Sequence, residues 1–309
     1  MIKETIFEMS SPYRDKFRIT GYCFGGGDKA LALVGAMRGD EVQQQYICAQ
    51  MVKRLSQLEQ QGLLAPGQSI LVIPSCNPFS MNVNRRFWAM DNTDINRMFP
   101  GFSQGETTQR IASAIFDTLQ GYRYGIQLAS FYVQGDFVPH VRMLQTGYED
   151  VETARLFGMK YVTTCQPRPF DTTLLNYNWQ LWDTRAFSLY AGQTSQIDLV
   201  SANESIDAIL RMMQRTGLIL SDSISAAYES TVLDERNLEH VKARHAGLYY
   251  CMVRPGQRIS AGDSLAHVIH PYNGQILDDI KATTDGIVFF VHNRPVVFQN
   301  ALLFMIHKL

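Results

Sequence analysis

The sequence predicts an α/β protein with a mixed, mostly parallel sheet flanked by helices, followed by a small C-terminal all-β domain. Strand-length apolar runs alternate with helical patterns up to about residue 220. Beyond Leu233 the helical patterns stop, and short strand-like runs alternate with turn sequences. A stretch of small polar residues separates the two regions. We therefore divide the chain into an α/β domain (1–222), a linker (223–232) and a small β-module (233–309).

The elements of the α/β domain are predicted in chain order. The run KALALVGAM predicts a buried strand over Lys29–Met37, and apolar residues recurring about every 3.6 positions predict a helix over Glu41–Gln61. Gly62 and Gly217 are expected to end helices, and Asn203 to cap the last one. Further strands are predicted in SILVIPSCNP, YGIQLAS, KYVTTC and AFSLYAG, and further helices in TQRIASAIFDTLQG and NESIDAILRMMQRTG.

A glycine run and a pair of histidines resemble a phosphate loop and a metal site, but neither predicts a binding site here. The glycines of GYCFGGGDKA precede a strand and lack the GK[ST] ending of a phosphate-binding loop, so they predict a hairpin turn between early strands. In the β-module, strands are predicted in GLYYCMV, SLAHVIH, GIVFFVH and ALLFMIH. On a strand, His267 and His270 point to opposite faces, so they do not predict a shared metal.

Composition excludes several classes of partner. The formal net charge is −1 over 309 residues, which argues against nucleic acid or an anionic membrane as a partner. The first residues show no signal peptide, and the run ALALVGAM is far shorter than the ~20 residues that span a bilayer. Five cysteines without a paired pattern fit a reducing compartment. We expect a cytoplasmic protein.

The densest polar cluster is NPFSMNVNRRFWAMDNTDINRMFPG, residues 77–101. Arginines beside an amide side chain, on a loop that follows a strand, suit fork-like recognition of a carboxylate. The alternative is a solvated loop whose arginines pair with Asp91 and Asp94, since surface ion pairs are common.

This segment resembles the signature NP…R…(D/N)LNR.FPG of the succinylglutamate desuccinylase/aspartoacylase family. The matching residues are Asn77-Pro78, Arg86, Asp94, Asn96 and Arg97, followed by MFPG. Other landmarks follow in family order over nearly the whole chain: VGAMRGDE resembles GxHGxE, YGIQLASF resembles the DLH segment, FVPHVRM resembles PHVR, and FSLYAGQ resembles ITxExGG. The final β-module also resembles that of the family. The resemblance implies a zinc-carboxypeptidase-like fold for the α/β domain, residues 1–222.

The resemblance implies a degenerate metal site. In the family, zinc is held by the His and Glu of HxxE and by a second His, while a catalytic Glu activates the bound water. The corresponding positions here are Arg38, Glu41, Ala129 and Tyr190, and Gln127 takes the place of the acid of DLH. Glu41 is thus the only retained ligand-type residue, so we expect no zinc and identify no catalytic residue. We predict instead that Arg38 forms an ion pair with Glu41.

The substrate-binding side is better preserved. The resemblance implies that Arg86 polarises the substrate carbonyl, that Asn96 and Arg97 hold a carboxylate, and that Arg142 of PHVRM binds an anion. The alternative is that Asn96 and Arg97 only brace their loop. His140 is the only histidine before residue 240, and together with Glu41 it would make an incomplete metal site.

Three functions follow from this pattern. The first is a non-hydrolytic family member that binds a small carboxylate-bearing ligand and assembles with itself or with an intact, zinc-bearing relative. The second is an active deacylase of N-acyl amino acids or related amides, in which Tyr190, Glu41 or His140 takes a new role. A phenol, with a reference pKa of about 10, is a poor base at neutral pH. The third is a purely structural interaction protein.

Overall fold

The structure is a computed structural model that describes residues 1–11, 14–221 and 226–309. Residues 222–225, at the start of the predicted linker, lie outside the described residues. The chain divides into two compact units. Unit 1 comprises Met1–Ala129, Pro139–Ala191 and Ser195–Val232, and unit 2 comprises Ser130–Val138, Gly192–Thr194 and Leu233–Leu309.

The strands, in chain order, are β1 (Ile2–Ser11), β2 (Arg14–Gly25), β3 (Asp28–Ala36), β4 (Gln68–Ser75), β5 (Tyr124–Ala129), β6 (Gly135–Phe137), β7 (His140–Leu144), β8 (Tyr161–Cys165), β9 (Arg185–Tyr190), β10 (Thr231–Asp234), β11 (Leu238–Lys242), β12 (Gly247–Cys251), β13 (Arg258–Ile259), β14 (Ser264–Ile269), β15 (Ile276–Lys281), β16 (Gly286–His292), β17 (Val296–Val297) and β18 (Leu302–Lys308). The helices are α1 (Val42–Gln60), α2 (Pro78–Asn82), α3 (Thr107–Leu119), α4 (Val151–Arg155), α5 (Leu175–Leu181) and α6 (Leu199–Arg215).

The main sheet has nine strands in the order β1-β2-β4-β3-β5-β9-β7-β8-β10. Its central strands β4, β3, β5 and β9 run parallel to one another, whereas β1, β2 and β7 each join a neighbour antiparallel. The predicted mixed α/β fold is confirmed. The predicted hairpin at the glycine run is wrong, because β4 lies between β2 and β3: Val72 pairs with Tyr22 on one side and with Leu33 on the other.

Helices cover both faces of this sheet. On one face α1 and α6 pack Ile47 and Ile209 onto a core that includes Leu128 and Leu189. On the other face α3 and α5 contribute Ile111, Ile115 and Trp179 to a second core. The alternation of strand side chains between the two faces therefore fixes which residues face α5.

Helix α6 begins one turn earlier than the sequence predicts. Asp198 is the capping residue, and its carboxylate accepts hydrogen bonds from the backbone N–H of Val200 and Ser201 at 3.1 and 3.3 Å. The predicted cap at Asn203 is wrong, because Asp198 already supplies the acceptor that the first helical N–H groups need. The predicted end at Gly217 agrees with the helix, which stops at Arg215.

Unit 2 contains two antiparallel sheets. One has the order β11-β18-β16-β13 with β6 also paired to β16, and the other has the order β15-β14-β12-β17. Its core includes Tyr249, Val268, Leu303 and Phe304. The four strands predicted in the β-module are present as β12, β14, β16 and β18. Of the helices in the described part of the chain, none is both long and apolar enough to cross a membrane.

Candidate functional site

The loop between β3 and α1 is closed by Glu41. Glu41 precedes the first residue of α1, but its side chain does not cap that helix. Instead Glu41 Oε2 accepts hydrogen bonds from the backbone N–H of Met37 at 2.7 Å and of Arg38 at 3.0 Å. The carboxylate is therefore turned back into the loop, where it is 1% exposed.

The guanidinium of Arg38 lies between two carboxylates. Arg38 Nη1 is 3.2 Å from Glu41 Oε1, and Arg38 Nη2 is 2.8 Å from Asp94 Oδ2. Arg38 Nε also donates to Asp94, at 3.1 Å from Oδ2. Burial alone would lower the pKa of Arg38, but the charges of Asp94 and Glu41 outweigh it, so the pKa is raised and the residue stays cationic. The predicted ion pair between Arg38 and Glu41 is thus present.

A close backbone approach fixes this loop against the segment that follows β4. The Gly39 N–H donates to the carbonyl oxygen of Arg86 at 2.9 Å. A Cβ atom at Gly39 would lie 2.2 Å from the carbonyl oxygen of Arg85, so only glycine fits. Arg86 Nη1 donates to Asp40 Oδ2 at 2.6 Å, and both side chains are largely buried. The Arg86 guanidinium is therefore engaged by the loop that carries Arg38.

Asn96 is joined to the sheet through Gln127. Asp94, besides holding Arg38, accepts from the Asn96 backbone N–H at 3.1 Å and so orders the turn Ile95–Arg97. Asn96 Oδ1 accepts from Gln127 Nε2 at 3.0 Å, and both residues are buried. Asn96 is thereby linked, through Asp94, to Arg38.

The α5-facing side of the sheet carries two cross-strand rows of site residues. Residues two apart on a strand share a face, so the register of β5, β9, β7 and β8 places these rows side by side. The first row lies away from the ends of β5 and β9 and contains Gln127, Ser188, Arg142 and Thr163. The second row lies at those ends and contains Ala129, Tyr190, His140 and Tyr161.

In the second row, the His140 ring stacks on the Tyr190 ring. The ring centroids are 4.9 Å apart with an interplanar angle of 4°. Tyr190 also lies close enough to Arg38 to make a small contribution to the raised pKa of that residue. Ala129 is opposite Tyr190, and its carbonyl oxygen accepts from Gln44 Nε2 at 3.2 Å. This row therefore places a methyl group, at Ala129, beside a stacked phenol, at Tyr190.

The first row is polar and buried. Arg142 is 8% exposed and lies directly opposite Ser188 and Thr163. Asn176 of α5 reaches the same row and donates to Ser188 Oγ. Two atoms here, Thr163 Oγ1 and Asn176 Oδ1, are buried without a hydrogen-bond partner among the described residues. Buried polar atoms are normally hydrogen-bonded, so these two atoms are exceptions within the row.

Arg97 is engaged by a different segment. Arg97 Nη1 donates to the carbonyl oxygen of Phe170 at 2.5 Å and lies 3.6 Å from Asp171 Oδ1. Its guanidinium also packs 5.2 Å from the centroid of the Phe170 ring. These contacts are those expected of a residue that braces its loop, the alternative that the sequence leaves open.

The residues present do not fit a zinc ion. Zinc sites use several His, Cys or carboxylate ligands and keep one position open. Within the described residues, no group of three or more such side chains is placed to hold a metal ion. Both oxygens of Glu41 already accept hydrogen bonds. A dication ~4 Å from the Arg38 guanidinium would be repelled by about 8 kcal/mol at an effective dielectric of ~20.

Several contacts of the site could not be found in the sequence. The sequence does not reveal that Asp94 is the main partner of Arg38 or that Asp40 is the partner of Arg86. It also does not reveal that Asn176 belongs to the polar row. Arg38 and Asp94 are 56 positions apart, and no local pattern reports such a pairing. The acidic residues themselves were visible, but their partners depend on the tertiary fold.

Comparison with known proteins identifies relatives at the level of family and fold. A model of the succinylglutamate desuccinylase/aspartoacylase catalytic domain matches residues 28–214, more than half of the chain. No match is found among curated proteins.

Solved structures share the fold at low identity. A succinylglutamate desuccinylase from Silicibacter sp. TM1040 has a TM-score of 0.81 at 18% identity, over 98% of this chain and 92% of that chain. The product-bound ectoine utilization protein EutE (DoeB) from Ruegeria pomeroyi has a TM-score of 0.78 at 18% identity, over 95% and 90%. A succinylglutamate desuccinylase/aspartoacylase from Rhodobacter sphaeroides has a TM-score of 0.77 at 16% identity, over 94% and 89%.

Proposed function

The chain belongs to the succinylglutamate desuccinylase/aspartoacylase family, and from this premise we propose that it binds a carboxylate-bearing small molecule without hydrolysing it. The observation that carries the proposal is the position of Arg38, whose guanidinium bridges Glu41 and Asp94. The resemblance implies that Arg38 stands where the family has its first zinc-binding histidine. A fixed organic cation replaces the metal's charge but cannot generate a metal-bound hydroxide.

The water-activating group is replaced as well. By the resemblance, Tyr190 takes the place of the catalytic Glu, and its ring is stacked on that of His140. Without a metal or a carboxylate base, a water molecule here keeps a pKa far above neutral pH. The loss of both elements supports a binding role more than a hydrolytic one.

The polar row supports carboxylate as the ligand class. Arg142 supplies a cationic donor, and Thr163 and Ser188 supply hydroxyls, on one buried face of the sheet, while Asn176 of α5 supplies an amide beside them. Such a set recognises a carboxylate through charge-assisted hydrogen bonds. Among the arginines that the resemblance implies for binding, we assign this role to Arg142, because it lies in this row with the hydroxyls of Thr163 and Ser188.

A second candidate is a deacylase with remodelled chemistry. The observation that favours it is the pairing of His140 with Tyr190 at the strand ends, because a histidine can act as a general base near neutral pH. This candidate predicts turnover of N-acyl amino acids that survives chelation and is lost in the His140→Asn variant.

One set of measurements separates the functions. Purified chain is analysed for zinc, assayed for hydrolysis of N-acyl amino acids with and without a chelator, and titrated calorimetrically with N-acyl amino acids and dicarboxylates. We expect no stoichiometric zinc, no turnover, and saturable binding that is weakened by Arg142→Gln. Turnover abolished by chelators overturns the proposal, and absence of binding to any of these ligands favours a structural interaction protein.

Assembly with an intact relative is a further part of this proposal. A chain that keeps a binding face but lacks a hydrolytic centre can act as a non-catalytic subunit. Affinity purification from the native host, followed by mass spectrometry, tests whether a zinc-bearing family member co-purifies. Recovery of this chain without any related hydrolase would contradict the hetero-oligomeric form.

A further inference from the structure

A cavity lies between helices α1 and α6 of unit 1, and none of its described lining residues belongs to the candidate site. Its volume of about 320 Å³ is at the small end of the range for ligand pockets. The two walls are one face of each helix, because the lining residues recur three and four positions apart. They are Arg54, Gln57, Leu58 and Gln61 on α1, and Asp207, Leu210, Arg211 and Gln214 on α6. The cavity therefore suits a small molecule held between two helices.

The two helices end at the same side of the cavity. The Leu220 N–H donates to the carbonyl oxygen of Leu63 at 2.8 Å, which joins the segments that follow α6 and α1. Arg54 and Asp207 each lie about two turns before the end of their helix. They therefore face each other from opposite walls, at the end of the cavity that is away from the joined segments.

Arg54 and Asp207 do not pair with each other. Within the described part of the chain, neither side chain forms a hydrogen bond or an ion pair. Opposite charges on neighbouring surface elements commonly form ion pairs. Here the cavity keeps the guanidinium and the carboxylate apart, so one end of the cavity presents both a cation and an anion to a ligand.

Arg211 is a fixed part of the α6 wall. It is 4% exposed, its Nε donates to the carbonyl oxygen of Phe157 at 2.8 Å, and its Nη1 donates to that of Ala226 at 3.1 Å. Burial lowers the pKa of Arg211, and the charge of Asp207 partly opposes this effect. Arg54, by contrast, is exposed and is free to turn towards a ligand.

The rest of the cavity changes from apolar to polar along the helices. Leu58 and Leu210 lie one turn beyond Arg54 and Asp207, towards the joined segments. Gln61 and Gln214 follow after a further turn, and their amide groups make no hydrogen bond among the residues that the structure describes. A ligand that enters between the charged residues therefore meets an apolar middle section and then two amides.

We propose that this cavity binds a free α-amino acid in its zwitterionic form. The α-carboxylate accepts hydrogen bonds from Arg54, and the α-ammonium donates to Asp207. Both charged groups of an α-amino acid are attached to one carbon, so a single ligand meets both walls while its side chain extends between Leu58 and Leu210. A ligand with one charge would leave Arg54 or Asp207 without a counter-charge. This inference does not depend on the proposed carboxylate site at Arg142.

The first test measures binding to the full chain. Thermal-shift assays with the standard L-amino acids at millimolar concentration identify the best ligand. Calorimetry then compares this amino acid with its decarboxylated amine and its deaminated acid. We expect saturable binding of the amino acid and at least about tenfold weaker binding of each analogue. Binding of none of the amino acids, or equal binding of the deaminated acid, overturns the proposal.

The second test locates the two charged groups of the ligand. Arg54→Gln and Asp207→Asn are each expected to weaken binding of the amino acid at least about tenfold. In D207N the amino acid and its deaminated acid should bind equally, and in R54Q the amino acid and its amine should bind equally. Each variant removes the partner of the group that the analogue lacks, so the two losses are not additive. Additive losses would contradict the assigned contacts, which a merely structural effect of either substitution could not reproduce.

Matched variants control for nonspecific effects of charge. Lys53→Gln removes the neighbouring exposed cation of α1, and Asp117→Asn removes an exposed acid of α3; neither residue lines the cavity, and neither variant should change binding. Circular dichroism checks that all variants are folded. Amino-acid binding that is lost in Arg142→Gln but kept in R54Q and D207N would place the ligand at the carboxylate site and overturn the inference.

Discussion

Arg38 Nη2 donates to Asp94 Oδ2 at 2.8 Å, although the two residues are 56 positions apart in the sequence. The same guanidinium contacts Glu41 within its own loop. One buried cation therefore connects the end of β3 with the Asp94–Arg97 turn and supplies positive charge to two carboxylates.

The first prediction concerns stability. Arg38→Ala leaves Glu41 and Asp94 buried without their cation and is expected to cost about 3–5 kcal/mol of unfolding free energy. Urea denaturation followed by tryptophan fluorescence measures it, since Trp88, Trp179 and Trp182 all lie in unit 1.

Arg18→Ala is the control for this prediction, because Arg18 lies in unit 1 with the tryptophans. Arg18 also holds a carboxylate, that of Glu8, at 2.6 Å, but its side chain is 56% exposed, so its removal is expected to have little measurable effect. Equal destabilisation by the two variants would show that burial of the Arg38 cluster is unimportant.

The second prediction restores a metal site. In the triple variant Arg38→His, Ala129→His and Tyr190→Glu, the retained Glu41 joins two imidazoles, and the repelling guanidinium is removed. We expect this variant to bind about one zinc per chain by elemental analysis, while the wild type does not. The variant that lacks only Tyr190→Glu should bind zinc without gaining hydrolysis, because the base is absent. Zinc in neither variant would mean that these positions do not converge as a ligand set.

The third prediction concerns ligand binding. Arg142→Gln keeps a polar side chain but removes the cation of the buried row, and a charge-assisted hydrogen bond contributes about 1.5–3 kcal/mol. We therefore expect calorimetric affinity for a bound N-acyl amino acid or dicarboxylate to fall about 10- to 100-fold. Arg123→Gln, an exposed arginine just before β5, should leave it unchanged.

The fourth prediction distinguishes bracing from binding at Arg97. Because Arg97 contacts Phe170 and Asp171, Arg97→Ala is expected to lower stability by about 1–2 kcal/mol while leaving ligand affinity unchanged. Arg168→Ala is the comparison, since Arg168 shares Asp171 but is 45% exposed and should cost less. A large loss of affinity in Arg97→Ala with normal stability would instead identify a ligand contact.

The sequence predicts the helices and strands better than it predicts which strands lie side by side. Periodicity locates α1 within one residue at each end, because its buried face is set by local residues such as Ile47 and Met51. It does not reveal that β4 separates β2 from β3, since strand order depends on long-range pairing. The hairpin expected at the glycine run is wrong for this reason.

In the candidate site, too, local relationships are predictable from the sequence and contacts between distant segments are not. By resemblance, the sequence predicts that Arg38, Ala129 and Tyr190 replace the family's two histidines and its catalytic Glu, and this stays a prediction. The ion pair of Arg38 with Glu41 is also predictable, because the two residues are three apart. The link from Asn96 to Gln127 and the place of Asn176 are not, because they join segments that are distant in the chain.

The last prediction is a pH dependence in unit 2. His292 is 7% exposed, and burial, with a smaller contribution from the charge of Arg294, lowers its pKa. Its ring nitrogens have no hydrogen-bond partner among the described residues, and its ring meets that of Tyr249 edge-on at 5.6 Å. The unfolded chain takes up a proton near pH 6.5 while the folded chain stays neutral, so stability falls as the pH drops below about 6.5 and stops falling below the lowered folded pKa.

Hydrogen exchange of unit 2 peptides between pH 7.5 and pH 5 should show faster opening at the acid end, reduced in His292→Phe and unchanged in the exposed-site control His245→Gln. An acid-sensitivity that persists in His292→Phe would assign the effect to another group.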